Sequence, residues 1–377
     1  MKENRNKIAN VPNLRFPEFE EEWKEKALGC ILKVGNGKDY RHLGEGYIPV
    51  FGTGGYMTSV NDYLYDGESV CIGRKGTINK PFYFNGKFWS VDTLFYTHSY
   101  KNVFPKFLFY IFEQINWLKY NEASGVPSLS KTTIESIEVS IPPIPEQTKI
   151  ATFLSLLDDR ISTQRQIIEE LKSLMKGLNN LIFEKTKTNA KQVFFSELYT
   201  IAKEGGTPDT KKAEYYENGK IPFIKIDDLK NKYLENNQWF ITEKGLKSSS
   251  AWIVPANSII YSNGATIGSI SINKYPVTTK QGILGIVVKD NVSLEYVFYF
   301  MSSEYFRREI CKITTHGTMK TAYIKDIDTI KCYIPEYEKQ INIVKILNVL
   351  TIKVEVEQKL LSEYQKQKKY LLNQLFV

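Results

Sequence analysis

The chain has 377 residues, and its 50 Lys and Arg outnumber its 42 Asp and Glu, which gives a formal net charge of +8. This length favours two or three domains, and the 42% content of hydrophobic residues argues against a disordered chain. No apolar run approaches the ~20 residues needed to cross a bilayer, so we expect no transmembrane segment. The basic excess permits binding to a polyanion but does not require it.

The cysteines and histidines argue against a structural zinc site. The four cysteines, Cys30, Cys71, Cys311 and Cys332, form no CxxC pair, and the chain has only three histidines. Scattered cysteines are typical of a reduced protein, and residues 1–23 contain no apolar segment of the kind found in signal peptides. We therefore expect a cytoplasmic protein without a bound metal.

Residues from about 23 to 143 predict a mixed α/β domain rich in strands. Runs of aromatic and β-branched residues, typical of strands, occur at 47–51, 69–72 and 82–84, and glycine-rich turns separate them. A helix is predicted over 105–120. Its apolar residues at helical spacing are Phe107, Leu108, Ile111, Ile115 and Leu118.

The spacing of apolar residues changes at about residue 145. From there to about residue 185 the spacing alternates between four and three positions, which is the a/d pattern of a coiled-coil helix. The pattern comprises Ile150, Leu154, Leu157, Ile161, Gln164, Ile168, Leu171, Met175, Leu178 and Ile182. Pro145 and Glu146 lie in the predicted first turn, where proline and an acidic residue are both favourable.

A second region with the same organisation follows, from about 193 to 335. Strands are predicted at 221–226 and 258–261, and a helix at 294–312. A second heptad helix comes next. Its a/d positions are Ile343, Leu347, Leu350, Val354, Glu357, Leu361, Tyr364, Lys368, Leu371 and Leu375.

The two regions are copies of one module. Moved forward by about 193 positions, segment 134–183 aligns without a gap on 327–376, and this period is too long for a solenoid. The matched pairs include Pro142 with Pro335, Gln147 with Gln340, and Phe183 with Phe376. We therefore predict a mixed α/β fold of the α+β type. It has two similar globular domains separated by two long antiparallel coiled-coil helices, related by a pseudo-twofold internal repeat.

The antiparallel pairing of the helices gives Gln164 and Glu357 a possible role. Both interrupt the apolar pattern at equivalent positions, near the middle of the predicted pair. A central polar residue can fix the register of a coiled coil, and the alternative is an imperfect heptad without a specific role. Each helix of ~38 residues would be ~57 Å long.

The common catalytic motifs are absent from the sequence. We find no Asn/Asp-Pro-Pro-Tyr/Phe motif of amino-methyltransferases, no GxGxxG after a strand and no P-loop. His42, His98 and His316 are dispersed and suggest no catalytic triad. We expect no catalytic residue in this chain and infer that any chemistry belongs to partner subunits.

Polar, basic and glycine-rich turns in both regions suggest a DNA-binding surface. Arg, Lys, Asn and Gln recognise base edges, Ser and Thr bind phosphates, and glycine permits close approach. The alternative is that such loops only join strands. The candidate contacts are Lys38, Arg41, Thr53, Tyr56, Arg74, Lys75 and Lys131 in the first region, and Thr207, Lys225, Asn263, Lys280, Gln281, His316 and Lys320 in the second.

Three segments of the chain closely resemble Type I restriction-modification specificity subunits. They are VPNLRFPEFEEEW, GGTPDTKKAEYYENGKIPFIKIDDL and SLSKTTIESIEVSIPPIPEQTKIATFLSLLDDRI. The resemblance covers nearly the whole chain, and its most specific parts are the Pro-x-x-Glu-Gln helix start within 142–147 and the duplicated layout. The second copy departs from this pattern, because Lys339 occupies the position of Glu146.

The resemblance implies the following organisation. Target-recognition domains cover 1–143 and 188–335, spacer helices cover 144–187 and 336–377, and each domain recognises one half of a bipartite double-stranded DNA site. Two modification subunits carry S-adenosylmethionine, and restriction subunits use ATP and Mg²⁺, so no cofactor is expected in this chain. The alternatives are a coiled-coil adaptor that binds only proteins and a stand-alone nuclease or methyltransferase.

Overall fold

The computed structural model describes residues 10–264, 266–314 and 320–377. The chain forms two compact units, the first ending at Gln164 and including Leu360–Val377, and the second comprising Arg165–Lys359. The first repeat contains β1 (Lys24–Ala27), α1 (Leu28–Ile31), β2 (Lys33–Asn36), β3 (Glu45–Gly52), β4 (Gly55–Val60), β5 (Tyr65–Gly73), β6 (Phe82–Ser90), β7 (Leu94–His98), α2 (Pro105–Gln114), α3 (Lys131–Ser136), β8 (Glu138–Ile141) and α4 (Ile144–Thr186).

The second repeat follows the same order with additional short strands. It contains β9 (Lys191–Phe194), β10 (Tyr199–Glu204), β11 (Ile221–Ile224), β12 (Tyr233–Leu234), β13 (Phe240–Ile241), α5 (Glu243–Lys247), β14 (Ile259–Ser262), β15 (Ile270–Asn273), β16 (Thr278–Thr279), β17 (Ile283–Val288), α6 (Leu294–Met301), α7 (Glu304–Ile313), α8 (Ile324–Ile327), β18 (Lys331–Ile334) and α9 (Tyr337–Leu375).

The main sheets of the two repeats share one strand order. In unit 1 the order is β2-β7-β5-β6-β3-β4, and in unit 2 it is β10-β17-β14-β15-β12. The first four strands of each list correspond one to one. A separate antiparallel pair, β1–β8 in the first repeat and β9–β18 in the second, precedes each long helix. The duplication inferred from the sequence is therefore a duplication of topology.

The long helices run antiparallel within each unit. In unit 1, Lys368 Nζ of α9 lies 2.7 Å from Asp158 Oδ1 of α4. Two residues further along α4, the Arg160 guanidinium lies 5.2 Å from the centroid of the Tyr364 ring, four residues earlier on α9. Since residue numbers rise along one helix as they fall along the other, the predicted antiparallel pairing is confirmed for this unit.

Unit 2 shows the same arrangement with the other halves of the helices. Thr351 Oγ1 of α9 lies 3.7 Å from Met175 Sδ of α4. Later on α4, Phe183 belongs to the same buried cluster as Val344 and Leu347, which lie earlier on α9. The domain boundaries given above, which assign whole helices to separate segments, stay a prediction.

A buried glutamine anchors the start of each long helix to its own domain. Gln147 Oε1 accepts from the N–H of Phe104, the residue that caps α2, at 2.8 Å. Gln340 Oε1 accepts from the N–H of Ser293, the residue that caps α6, at the same distance. Each glutamine also donates Nε2 to the carbonyl of the proline five residues before it. Both side chains are buried, so the same hydrogen bonds define both copies of the helix start.

The departure at Lys339 has a structural reason. In the first repeat, Glu146 is fully buried and accepts two hydrogen bonds of 2.8 Å from the Arg15 guanidinium. Trp23 Nε1 donates to the same carboxylate at 3.3 Å. Lys339, at the equivalent position, is exposed to solvent. The glutamate thus belongs to an ion pair with Arg15, in the segment that precedes β1.

Two predicted helices are shorter than the sequence suggested. The helix expected over 105–120 ends at Gln114, because Ile115 adopts an extended conformation, and a separate 3₁₀ turn covers Trp117–Tyr120. The helix expected over 294–312 is broken into α6 and α7, because Ser303 is extended and its side chain accepts from Phe306 N–H to cap α7. The strand predicted at 221–226 ends at Ile224.

Among the helices of the described ranges, none combines the length and apolarity that a bilayer crossing requires.

Candidate nucleic-acid interface

Two loops of unit 1 form one surface beyond the end of β5. The N–H groups of Arg74 and Lys75 donate to the carbonyl of Thr93 at 2.8 and 3.2 Å, which fixes the turn after the strand. Leu129 N–H then donates to the Arg74 carbonyl at 2.9 Å, so segment 124–131 is fastened to this turn. Two loops that are distant in sequence become one surface through backbone hydrogen bonds alone.

Three of the predicted contacts lie together in this surface. Arg74, Lys75 and Lys131 line a cavity of about 400 Å³. The Arg74 guanidinium lies 5.7 Å from the centroid of the Phe95 ring, and its Nη1 is 3.4 Å from the Asp92 carbonyl. Lys131 is the first residue of α3, where the helix dipole disfavours a cation. Lys131 Nζ lies 3.8 Å from Glu135 Oε1 one turn later on α3, and half of the lysine side chain stays exposed at the rim of the cavity.

The other candidates of unit 1 are more scattered. A Cβ added to Gly76 would lie 3.6 Å from Thr53 Oγ1, so Thr53 adjoins the Arg74 turn. Tyr56 is 64% exposed, and its hydroxyl lies 3.0 Å from Ser59 Oγ. Lys38 and Arg41 are exposed and follow β2, and neither lines the cavity.

In unit 2, a second basic cluster lies at the carboxyl ends of two parallel strands. Strands β11 and β16 pair with Ile224 opposite Thr279, so the residues that follow, Lys225 and Lys280, are neighbours. Lys280 N–H donates to the Ile224 carbonyl at 3.0 Å. Burial lowers the pKa of Lys225, and the charge of Lys280 lowers it further. A nearby anion would stabilise the charged form of Lys225, which lies at this edge of the sheet.

The same cluster includes Thr207, Gln281 and an aromatic residue that the sequence analysis missed. Gln281 N–H donates to Thr207 Oγ1 at 3.3 Å. Lys225 Nζ lies 3.2 Å from the centroid of the Trp239 ring, whose residue is 48% exposed. Trp239 directly precedes a strand of only two residues, β13, and this short strand had no clear signal in the sequence.

Asn263 occupies the position of Arg74 in the second repeat but serves another purpose. The N–H groups of Asn263 and Gly264 donate to the Gly282 carbonyl at 3.0 and 3.2 Å, and Ala322 N–H donates to the Asn263 carbonyl at 2.9 Å. These hydrogen bonds repeat those of the Arg74 turn. The Asn263 side chain, however, is buried and donates Nδ2 to the Ala322 carbonyl at 3.1 Å. The prediction that Asn263 contacts DNA is therefore corrected. Its side chain stabilises the loop instead.

The remaining candidates lie at two other places. Lys320 is exposed and lines a cavity of about 560 Å³ together with Arg307, whereas His316 lies outside the described residues. Gln164 and Glu357 are buried within the long helices, and Glu357 Oε1 is 2.5 Å from Lys353 Nζ one turn earlier. The role of Gln164 and Glu357 in setting the register stays a prediction. In the part of the chain that the structure describes, no three His, Cys, Asp or Glu side chains are grouped as metal ligands would be.

Comparison with known proteins identifies the family. The profile described as Type I restriction modification DNA specificity domain matches residues 20–173 and again residues 188–365. The chain belongs to this family. The two matches coincide with the two repeats, so the predicted family and fold class are confirmed. Its members are the specificity subunits of their complexes, which are not catalysts, and the catalytic activity lies in partner subunits.

Individual relatives cover most of the chain. The Type I restriction enzyme MjaVIII specificity subunit of Methanocaldococcus jannaschii is 24% identical over 98% of this chain and 94% of its own length. The EcoR124I/EcoR124II specificity subunit of Escherichia coli is 25% identical over 63% of this chain and 62% of its own length. The crystal structure of the S subunit from M. genitalium superimposes with a TM-score of 0.64 at 16% identity, covering 97% of this chain and 99% of that one.

Proposed function

We propose that this chain is the DNA sequence-specificity subunit of a Type I restriction-modification complex. Each globular domain recognises one half of a bipartite double-stranded target, and the paired helices set the spacer between the halves. The observation that carries this proposal is the repeated turn after β5 and β14. Its backbone hydrogen bonds are the same in both units, but the side chain is Arg74 in one and the inward Asn263 in the other. The same backbone turn therefore exposes an arginine in one domain and lacks an exposed side chain at that position in the other, and such a difference suits two different half-sites.

The polar and charged side chains of the two surfaces have two different roles in DNA binding, one in affinity and one in specificity. Lys75 and Lys131 in unit 1, and Lys280 in unit 2, are exposed cations suited to phosphate contacts. Arg74 and Gln281 have the planar groups that bond base edges with two hydrogen bonds. The phosphate contacts make affinity depend on salt, and the base contacts select the sequence.

Two methyltransferase subunits, and restriction subunits where present, assemble on the long helices. Phe153 and Leu156 are exposed on α4, and Ile346 and Val349 are exposed at the equivalent positions of α9. Large apolar side chains that recur on both helices favour two similar protein contacts. S-adenosylmethionine, ATP and Mg²⁺ belong to those partners, and a cytoplasmic location is consistent with the scattered free cysteines.

The purified full-length chain, alone and with its methyltransferase partner, tests this function. We expect no methylation and no Mg²⁺-dependent cleavage by the chain alone, and methylation of a bipartite site by the complex. DNA affinity should fall linearly on logarithmic axes as salt rises. Turnover by the chain alone would support the stand-alone enzyme, and protein binding without a salt-dependent DNA affinity would support the adaptor.

A further inference from the structure

The C-terminal halves of the two long helices are anchored in the two units by equivalent apolar contacts. Directly after α9, Phe376 stacks on Phe107 of α2 in unit 1 at 5.2 Å between ring centroids. Near the end of α4, Phe183 packs against Tyr296 of α6 in unit 2 at 5.3 Å. Because these contacts are alike, the apolar anchors alone do not determine which helix end a domain accepts. A repeated chain therefore risks pairing each repeat with the same repeat of a second copy.

A charged network distinguishes the helix end in unit 1. Lys368 Nζ of α9 lies 2.7 Å from Asp158 Oδ1 and 2.9 Å from Glu113 Oε2. Tyr110 of α2 donates its hydroxyl to the other oxygen of Asp158 at 2.8 Å. The lysine side chain is 15% exposed, and the Glu113 and Asp158 side chains are 27% and 28% exposed, so the ion pairs are partly shielded from water. Ion pairs that are shielded from water discriminate more strongly than exposed ones.

In unit 2 the three positions that correspond to Lys368, Asp158 and Glu113 carry no charge. The charges near this contact belong instead to a different pair, Lys232 and Glu295, and Lys232 Nζ lies 3.4 Å from the Tyr299 hydroxyl. Tyr299 of α6 corresponds to Tyr110, and its hydroxyl lies 2.7 Å from Thr351 Oγ1. Thr351, which corresponds to Asp158, lies 3.7 Å from Met175 Sδ, and Met175 corresponds to Lys368. Ser302 stands where the first repeat has Glu113. At these three positions the charged side chains of the unit 1 contact are replaced by neutral side chains in unit 2.

We propose that Lys368, Asp158 and Glu113 form a pairing-specificity site, which accepts the end of α9 and rejects the end of α4 from a second copy of the chain. If two first repeats paired, Met175 would lie against Asp158 and Glu113 and leave both carboxylates without their cation. If two second repeats paired, Lys368 would lie against Thr351. Both self-pairings lose the ion pairs, and only closure of the chain on itself satisfies all the groups.

The environment of Glu113 makes this loss costly. Burial raises the pKa of Glu113, and Lys368 opposes this more strongly than the charge of Lys106 does. A pairing without the lysine would therefore retain a carboxylate whose charged form burial already disfavours. Unpaired charges in a partly desolvated contact therefore destabilise pairing with the wrong repeat.

The test removes the difference between the units while keeping each native contact complementary. In the full-length chain, Met175→Lys with Thr351→Asp copies the Lys368–Asp158 ion pair into unit 2. Separately, Lys368→Met with Asp158→Thr and Glu113→Ser copies the neutral contact into unit 1. Differently tagged chains are refolded together at about 1 mM, the scale of intramolecular effective concentrations. Light scattering after gel filtration and co-purification of the two tags then measure the dimer-to-monomer ratio.

We expect both symmetrised variants to increase that ratio by about tenfold over the wild-type chain. The control, Met175→Leu with Thr351→Val, changes the same positions without charge and should match the wild type. Two variants of opposite chemistry guard against misfolding of either one, and circular dichroism identifies which have folded. A wild-type ratio in both folded symmetrised variants, or an equal increase in the control, would overturn the proposal.

Discussion

Neutralising two lysines of the unit 1 surface should change how DNA affinity depends on salt. Lys75 and Lys131 line the same cavity, and both are exposed. Each phosphate contact contributes about 0.9 to the slope of log affinity against log salt. The variant Lys75→Ala with Lys131→Ala should therefore reduce the slope by about 1.8 and weaken binding by about 60-fold at 0.1 M salt.

The assay is fluorescence anisotropy of a labelled duplex that contains the target, bound by the chain with its methyltransferase partner. Titrations between about 0.05 and 0.3 M salt define the slope. Lys24→Ala is the matched control, because Lys24 is an exposed lysine of the separate β1–β8 pair. An unchanged slope in the double variant, with the control also unchanged, would refute the assignment of this cavity to the phosphate backbone.

Three further predictions concern the anchor, the second basic cluster and the helices. Gln147→Leu leaves the Phe104 N–H and two carbonyls without their hydrogen-bond partner. The free energy of unfolding, measured by chemical denaturation, should therefore fall by about 3 kcal/mol. The control Thr148→Ala, at an exposed neighbouring position, should change it by under about 0.5 kcal/mol. Because the pKa of Lys225 is lowered, its charge is lost at a lower pH than that of an ordinary lysine. DNA affinity measured from neutral to alkaline pH should therefore begin to fall earlier in the wild type than in Lys225→Arg, and identical profiles would exclude Lys225 from the interface. Deleting one heptad from each long helix should shorten the preferred spacer in methylation assays, and an unchanged preference would reject the role of the helices in spacing.

The repeated architecture could be predicted because its signals are local. Heptad spacing requires only a count of apolar positions, and α4 and α9 cover the predicted ranges. Gln147 and Gln340 align at the helix start of the two copies, and their side chains form equivalent hydrogen bonds in the structure.

The failures arise where distant segments meet. No local pattern indicated that Asn263 would turn inward to bond Ala322, because that contact depends on a loop 59 residues away. The break between α6 and α7 depends on Ser303 capping the second helix, in a segment whose apolar periodicity continues. Trp239 was missed for a related reason, since only the fold brings its ring against Lys225.

The central claim is that each domain recognises its own half of a bipartite site. The direct measurement is genome-wide mapping of methylated bases in cells that carry this chain and its methyltransferase partner, before and after residues 1–145 are exchanged for those of a related specificity subunit. We predict a two-part methylated sequence in which one half changes and the other half stays the same. A change in both halves, or a continuous site without a spacer, would contradict the two-domain account.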